Sequence, residues 1–203
     1  IVVLPPASMY ANLKCGNLDG YCVGEPWNSL AIHDGAGWAV TTTAQLAPRH
    51  PEKVLMTRRA FAGSRHEEHI ALIAALIEAC AWCDVPENRS DLADLLAHPR
   101  YLNSPADRLR TSLCGPFDLG HGRTAVLPEF TVFHRDDANL PSRPRAAWII
   151  NHLLRLVPDE NRSLQTATAR VFRADLYEEA LKLTSPSPAA EPSNPEPVTL
   201  SIP

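Results

Sequence analysis

Apolar positions along this chain fall into short runs of strand type and longer stretches with helical spacing. The clearest helical stretch is Glu67–Cys83. Its apolar side chains recur at steps of three and four residues, namely Ile70, Ile73, Leu76, Ile77 and Cys80. Leu72 and Ala79 widen this face, so we expect a well-buried helix.

Weaker helical patterns lie on either side of this stretch. In chain order they cover Ala7–Lys14, Pro26–His33, Asp91–Ala97, Pro105–Leu113, Arg145–Leu156 and Asp175–Leu183. Ser90 is suited to cap the helix that follows it, because its hydroxyl can accept a hydrogen bond from the first turn. The runs with strand character are Ile1–Leu4, Tyr21–Val23 and Trp38–Thr43. Strands that alternate with helices predict an α/β fold with a largely parallel sheet.

The helical and strand patterns stop near Thr184. The remaining segment is rich in Pro, Ser and Glu, a composition that buries too little apolar surface to order itself. We therefore expect residues 184–203 to form a disordered tail or linker.

Composition narrows the functional classes. A chain of 203 residues that is 45% hydrophobic and 21% charged can bury one substantial core or two small ones. The net charge of −4 gives no basic surface for nucleic acid. No run of 18 or more apolar residues is present, so the sequence predicts no membrane span. Five scattered cysteines do not form a disulfide framework and favour a reducing compartment: Cys15, Cys22, Cys80, Cys83 and Cys114.

The segment Asn17–Asn28 combines a turn, a short apolar run and a helix start. Gly24 allows the backbone to approach another group closely, and Pro26 suits the first helical position. Free N–H groups in that first turn, together with the helix dipole, form a site suited to a small anion. The same residues also fit an ordinary strand-to-helix connection.

Motifs of other kinds predict no catalytic or metal site. Cys80 and Cys83 have the spacing of a redox pair, but they lie at the far end of a helix, where core packing is the better interpretation. His66 and His69 lack the zinc-protease spacing and a third ligand. No nucleophile elbow, phosphate-binding glycine loop or dinucleotide fingerprint occurs. We therefore expect no enzyme activity, cofactor or metal.

Several blocks of sequence resemble one family. The blocks are Pro5–Ala7, Tyr10–Leu13, Gly16–Gly20, Cys22–Asn28, His50–Leu55, Tyr101–Leu113, Phe117–Arg123 and Phe130–Arg135. They resemble the second half of the nitrate and bicarbonate solute-binding proteins of ABC importers, and of cytoplasmic relatives that sense nitrate. The resemblance implies a type 2 periplasmic-binding-protein-like fold of two lobes, incomplete here because only the C-terminal half is represented. A mixed or parallel sheet with flanking helices is implied as well.

The resemblance also implies a division of the chain. Residues 1–24 would be part of the second lobe, and residues 25–183 would form the hinge return and a helical C-terminal part that packs on the first lobe. Such proteins close their two lobes around a ligand by hinge motion.

Four residues are implied as anion ligands by the resemblance: Val23, Gly24, Glu25 and Lys53. A lone lysine is otherwise most often a surface charge. Nitrate carries no proton and needs donors and a cation, whereas bicarbonate has a hydroxyl that requires an acceptor. Lys53 with backbone N–H groups therefore favours nitrate or nitrite. A shift of one residue would instead place Glu52 in the site.

The resemblance leaves more than one function open. The first is a solute-binding protein for nitrate or nitrite in the periplasm or cell envelope, with an ABC permease as partner. The second is a cytoplasmic sensor of nitrate or nitrite that regulates an RNA-binding antiterminator protein. A bicarbonate-binding protein, or a two-lobe remnant without a ligand, remains open beside them.

Overall fold

Helices dominate the part of the chain that the structure, a computed structural model, describes: residues 1–156 and 161–184. The helices are α1 (Pro6–Lys14), α2 (Trp27–His33), α3 (Thr43–Leu46), α4 (Arg59–Ser64), α5 (His66–Asp84), α6 (Arg89–Ala97), α7 (Ala106–Leu113), α8 (Arg143–Leu156), α9 (Asn161–Val171) and α10 (Ala174–Leu181). A 3₁₀ turn, Pro86–Asn88, precedes α6. The strands are β1 (Phe117–Gly120) and β2 (Arg123–Ala125). The tail expected over residues 184–203 lies outside the described residues except for Thr184.

Each helix predicted from the sequence is present, with ends that differ by at most two residues. Two helix starts differ in detail. Pro26 is the cap of α2 and not its first residue, and Ser90 lies inside α6, whose start is set by the 3₁₀ turn. The helices α3, α4 and α9 were not predicted, because they are short or have few apolar positions on one face.

The parallel sheet predicted from the sequence does not form within the described residues. Ile1–Leu4 and Tyr21–Val23 have no strand assignment there. A strand needs a neighbouring strand for its backbone hydrogen bonds, and none of the described strands pairs with either segment. The described sheet is a hairpin in which β1 pairs antiparallel with β2, with Phe117 opposite Ala125.

The predicted strand Trp38–Thr43 was also wrong, for a local reason. Ala39 donates one backbone hydrogen bond to Leu119 of β1, at 2.9 Å, but no ladder follows. Thr42 instead starts α3 through a capping box. Its hydroxyl accepts from the Gln45 N–H, and its own N–H donates to the Gln45 side chain.

The hairpin turn contains a signal that the sequence analysis missed. Both turn residues adopt the left-handed conformation, with φ of 54° at His121 and 71° at Gly122, as two-residue hairpin turns require. Gly120 just before them has φ of 83°, and a Cβ atom there would lie 2.9 Å from the Cβ of Trp38. Glycine is therefore needed at position 120 for both conformation and space.

A core of buried side chains joins α5 to α10. Its buried side chains are Ile70, Ala74 and Ile77 of α5 and Leu176, Tyr177 and Ala180 of α10. The burial of α5 is narrower than predicted, since Leu72 and Leu76 each remain 40% exposed. A second packing region surrounds α2, which contacts α1, α7 and β1. Burial of Leu30 and Ile32 fixes the chain that precedes α2 against this region.

Among the described residues, no single helix has the length and apolar character needed to cross a membrane. The stretch from α5 through α6 has that length and composition only as two helices taken together, and these are bent by 88° relative to each other.

A buried carboxylate ties the end of α5 to a distant loop. The Asp84 side chain is 7% exposed. It accepts hydrogen bonds from three successive backbone N–H groups, those of Phe133 at 3.4 Å, His134 at 3.0 Å and Arg135 at 2.7 Å. The Arg135 guanidinium lies 2.5 Å from one oxygen and the Arg89 guanidinium lies 2.8 Å from the same oxygen. Five donors thus satisfy the hydrogen-bonding capacity of this buried carboxylate.

This environment keeps Asp84 ionised. Burial alone would raise the pKa of Asp84, but the backbone N–H groups and the Arg135 charge outweigh it and hold this pKa below its ordinary value. A depressed carboxyl pKa stabilises the fold above the unfolded-state pKa of about 3.9. That contribution is lost as the pH falls through the folded-state pKa.

The thiols of Cys80 and Cys83 lie on the same end of α5. Both are half-buried and unpaired in a disulfide. Burial raises the pKa of each thiol, which is the reverse of what a reactive redox cysteine requires. The redox spacing in the sequence therefore reflects packing on the helix.

We expect Asp84→Asn to lower the free energy of unfolding by about 3 kcal/mol, because the change leaves buried arginine charges without their carboxylate. Urea unfolding followed by circular dichroism measures this. Asp94→Asn is the matched control: Asp94 is 57% exposed where it pairs with Arg110, and its loss should cost at most about 1 kcal/mol. Below pH ~4 the wild type should lose stability as Asp84 is protonated, and Asp84→Asn should lose less stability over the same pH range. Equal stabilities of the two variants would contradict the account.

Cys80 and Cys83 should react slowly with a thiol reagent in the native protein, because a raised pKa leaves little thiolate at neutral pH. The exposed Cys15 and Cys22 serve as internal controls and should be labelled first. Partial labelling followed by peptide mass spectrometry gives the order. Labelling of Cys80 and Cys83 as fast as Cys15 would restore the redox interpretation.

Candidate functional site

The four residues that the sequence implied as ligands lie around one open cleft of about 370 Å³. The residues lining it are Pro6, Val23, Gly24, Glu25, Trp27, Glu52 and Lys53. They come from the start of α1, from the chain that leads into α2 and from the loop after α3. The structure therefore brings together three segments, of which the loop after α3 is far from the other two in sequence.

Gly24 lies close to the two charged side chains of the cleft. A Cβ atom built on Gly24 would lie 3.7 Å from the Lys53 Nζ and 3.6 Å from a Glu52 carboxylate oxygen. Both distances are those of ordinary van der Waals contact, and the Gly24 backbone needs no left-handed conformation. A small ligand can thus contact the backbone of Gly24 and the ammonium of Lys53 at the same time.

Glu25 turns its carboxylate towards the start of α2. One oxygen accepts from the Ser29 N–H at 3.2 Å, and the other accepts from the Asn28 side chain at 3.1 Å. Asn28 also donates to the Val23 carbonyl at 2.7 Å. A carboxylate at a helix start is favoured by the helix dipole. One N–H group of the first turn of α2, that of Ser29, is therefore already taken by an internal carboxylate and is not free for a ligand.

Other backbone donors remain beside the cleft. Within residues 1–156 and 161–184, the N–H groups of Gly24 and Glu25 make no hydrogen bond. Both residues line the cleft. These two N–H groups are therefore candidate donors for a bound anion.

Tyr21 holds the segment that carries these donors. Its hydroxyl donates to the Trp27 carbonyl at 2.7 Å, so the chain from Tyr21 to Trp27 is closed into a loop. Burial, followed by the negative charge of Glu25, raises the pKa of Tyr21 to about 12. The hydroxyl consequently stays a neutral donor at all physiological pH values.

Lys53 is paired within the cleft. Its Nζ lies 2.7 Å from Glu52 Oε1, and the two side chains are 81% and 61% exposed. The sequence left open whether a cation or a carboxylate occupies this position, and the structure places both there. The cleft therefore holds one positive and one negative group side by side.

The loop before Lys53 is fixed at several points. His50 faces the Ala47 carbonyl through both its backbone N–H, at 3.1 Å, and its ring Nδ1, at 2.9 Å. The His50 ring also lies 6.2 Å from the ring of Trp148 on α8. Arg49 adds an ion pair with Glu129 at 3.1 Å. These contacts position the wall of the cleft that carries Lys53.

His66 and His69, the two closely spaced histidines of the sequence, both have partners within the protein. His66 pairs with Glu179 of α10 at 2.8 Å, whereas His69 is buried near Thr57 and the ring of Phe61. The two imidazoles thus serve different neighbours. Across the described ranges, no group of three or more metal-ligating side chains is suited to hold a metal ion.

Comparisons with known proteins found similarity to proteins of anion transport. The sequence model of the NMT1-like family matches residues 1–97. The nitrate import ATP-binding protein NrtC of Synechocystis sp. PCC 6803 is 36% identical over 88% of this chain, which spans 27% of NrtC. The bicarbonate transport ATP-binding protein CmpC of the same organism is 39% identical over 75% of this chain, which spans 23% of CmpC.

A solved structure gives the fold. The crystal structure of the periplasmic nitrate-binding protein NrtA from Synechocystis PCC 6803 superposes with a TM-score of 0.84 at 28% identity, covering 90% of this chain and 48% of NrtA. This match confirms the periplasmic-binding-protein fold that the sequence resemblance implied. The chain thus spans about a quarter of each ATP-binding relative and about half of NrtA. The chain is thus similar to the NMT1-like family over residues 1–97 and to proteins of nitrate and bicarbonate transport.

Proposed function

We propose that this chain forms one wall of a binding site for a small oxyanion, nitrate or nitrite, in a solute-binding protein that serves ABC-type nitrate transport. The observation that carries the proposal is the cleft in which Val23, Gly24, Glu25 and Lys53 meet. The similarity to the periplasmic nitrate-binding protein of known structure supports it.

The donors of the cleft suit an anion without a proton. Nitrate and nitrite accept hydrogen bonds and donate none, so each needs N–H donors and a countercharge. The N–H groups of Gly24 and Glu25 supply the donors, and Lys53 supplies the charge. The carboxylate of Glu25 does not oppose the anion directly, because both of its oxygens are already hydrogen-bonded at α2.

The role is binding and not catalysis. The sequence contains no phosphate-binding glycine loop, although two relatives are named as ATP-binding proteins. We therefore assign solute recognition to this chain, with a membrane permease and its ATPase as partners of the complete protein.

A second function is favoured by the pattern of identities. This chain is more similar to NrtC and CmpC, at 36% and 39%, than to the solved NrtA, at 28%. The alternative is that the cleft senses the anion as one domain of a transport ATP-binding protein. The length and domain content of the full-length protein distinguish this alternative from a separate solute-binding protein.

We expect Lys53→Glu to weaken nitrate binding at least tenfold. Loss of one charge-assisted hydrogen bond at a largely exposed ammonium costs about 1.5 kcal/mol, and the new carboxylate repels the anion. Isothermal titration calorimetry of the full-length protein with sodium nitrate measures the change. Lys182→Glu is the matched control, since Lys182 is exposed and lies outside this cleft.

A second variant tests the same cleft without a change of charge. Gly24→Ala places a methyl group in van der Waals contact with Lys53 and Glu52 and should weaken nitrate binding while the fold is kept. Wild-type nitrate affinity in both Lys53→Glu and Gly24→Ala would show that the anion binds elsewhere.

A further inference from the structure

The side chain of Asn28 holds the chain segment that lines the cleft. Its amide donates to the Val23 carbonyl at 2.7 Å and to a Glu25 carboxylate oxygen at 3.1 Å. Asn28 is half-buried in the first turn of α2 and does not itself line the cleft. It can therefore act on a bound anion only through the segment that it holds.

The hydrogen bond to Val23 fixes the direction of the next N–H group. The Val23–Gly24 peptide bond is trans, and in a trans peptide group the C=O and the N–H point in opposite directions within one plane. Because the Val23 carbonyl faces Asn28, the Gly24 N–H points away from Asn28. That N–H makes no hydrogen bond among the described residues, although Gly24 lines the cleft.

Asn28 stands on a fixed backbone, whereas the residue that it orients does not. The four residues that follow Asn28 in α2, residues 29–32, are all buried. Gly24 is exposed, and glycine has more backbone freedom to lose than any other residue. Without a partner for the Val23 carbonyl, the peptide group before Gly24 is free to rotate, and an anion must then order it on binding.

We propose that Asn28 is a positioning residue for the anion: by holding the Val23 carbonyl, it presents the Gly24 N–H to the cleft before the anion arrives. This inference rests on the proposed function, because it concerns a donor of the same site. A donor that is already oriented loses less backbone freedom on binding, and the affinity rises accordingly.

Nitrate binding by the full-length protein, measured by isothermal titration calorimetry, is the first test. Asn28→Ala should weaken nitrate binding about tenfold, since this is the cost of ordering the backbone of one residue. Asn12→Ala is the matched control and should keep the wild-type affinity. Asn12 is also a half-buried helical asparagine and donates to the Ser8 carbonyl at 2.9 Å, but neither Asn12 nor Ser8 lines the cleft.

The second test measures the N–H group itself. ¹⁵N relaxation of the full-length protein, labelled with ¹⁵N-glycine and free of ligand, gives the order parameter of the Gly24 N–H. This order parameter should fall in Asn28→Ala and stay at its wild-type value in Asn12→Ala. A general loss of stability would not lower it at Gly24 alone.

A double variant separates the bond to Val23 from the bond to Glu25 without a change of net charge. Glu25→Gln combined with Asn28→Asp restores the hydrogen bond between positions 25 and 28 with donor and acceptor exchanged. It leaves the Val23 carbonyl without a donor, because a carboxylate only accepts. Nitrate binding should therefore stay about tenfold weaker than in the wild type.

An unchanged Gly24 order parameter or an unchanged nitrate affinity in Asn28→Ala would overturn the inference. Wild-type affinity in the double variant would overturn it too, because Asn28 would then serve only to hold the side chain of Glu25. Failure of the proposed function has a different signature. In that case the wild type binds no nitrate, while the Gly24 order parameter still falls in Asn28→Ala.

Discussion

The buried carboxylate of Asp84 is the interaction on which the rest of this structure depends. Its donors fix the loop Phe133–Arg135 against the end of α5, the longest helix. The chain that leaves this loop enters α8, whose Trp148 faces His50. His50 in turn lies three residues before Lys53. A series of packed contacts therefore connects the buried Asp84 carboxylate to the wall of the cleft that carries Lys53.

The opposite wall is held by a second internal carboxylate. Glu25 accepts the Ser29 N–H in the first turn of α2, while the N–H groups of Gly24 and Glu25 lie beside the cleft without a partner among the described residues. One donor of the helix start is thus satisfied from within, and the backbone just before the helix is the segment proposed to recognise the anion. Lys53 and Glu52 then supply opposite charges within 2.7 Å of each other at the edge of the cleft.

Helical periodicity was sufficient to predict the helices, since α5 and its neighbours bury apolar side chains at regular steps. Strand character was not sufficient to predict the strands. A run such as Tyr21–Val23 becomes a strand only beside a partner strand, and β-propensity depends on that context. The capping box at Thr42 was not predicted either, because its local hydrogen bonds outweigh the strand preference of a β-branched run. In the candidate site, Lys53 could be singled out only through family resemblance, and its pairing with Glu52 required coordinates.

The most direct test of the binding site is two-dimensional ¹H–¹⁵N NMR of the protein during titration with sodium nitrate, with sodium chloride as the control salt. The amide signals of Gly24 and Glu25 should shift and saturate with nitrate, since these N–H groups are the proposed donors, and chloride should produce a smaller, non-saturating effect. Unmoved Gly24 and Glu25 signals at nitrate saturation, with shifts confined to another region such as the α5–α10 contact, would contradict the assignment of the cleft.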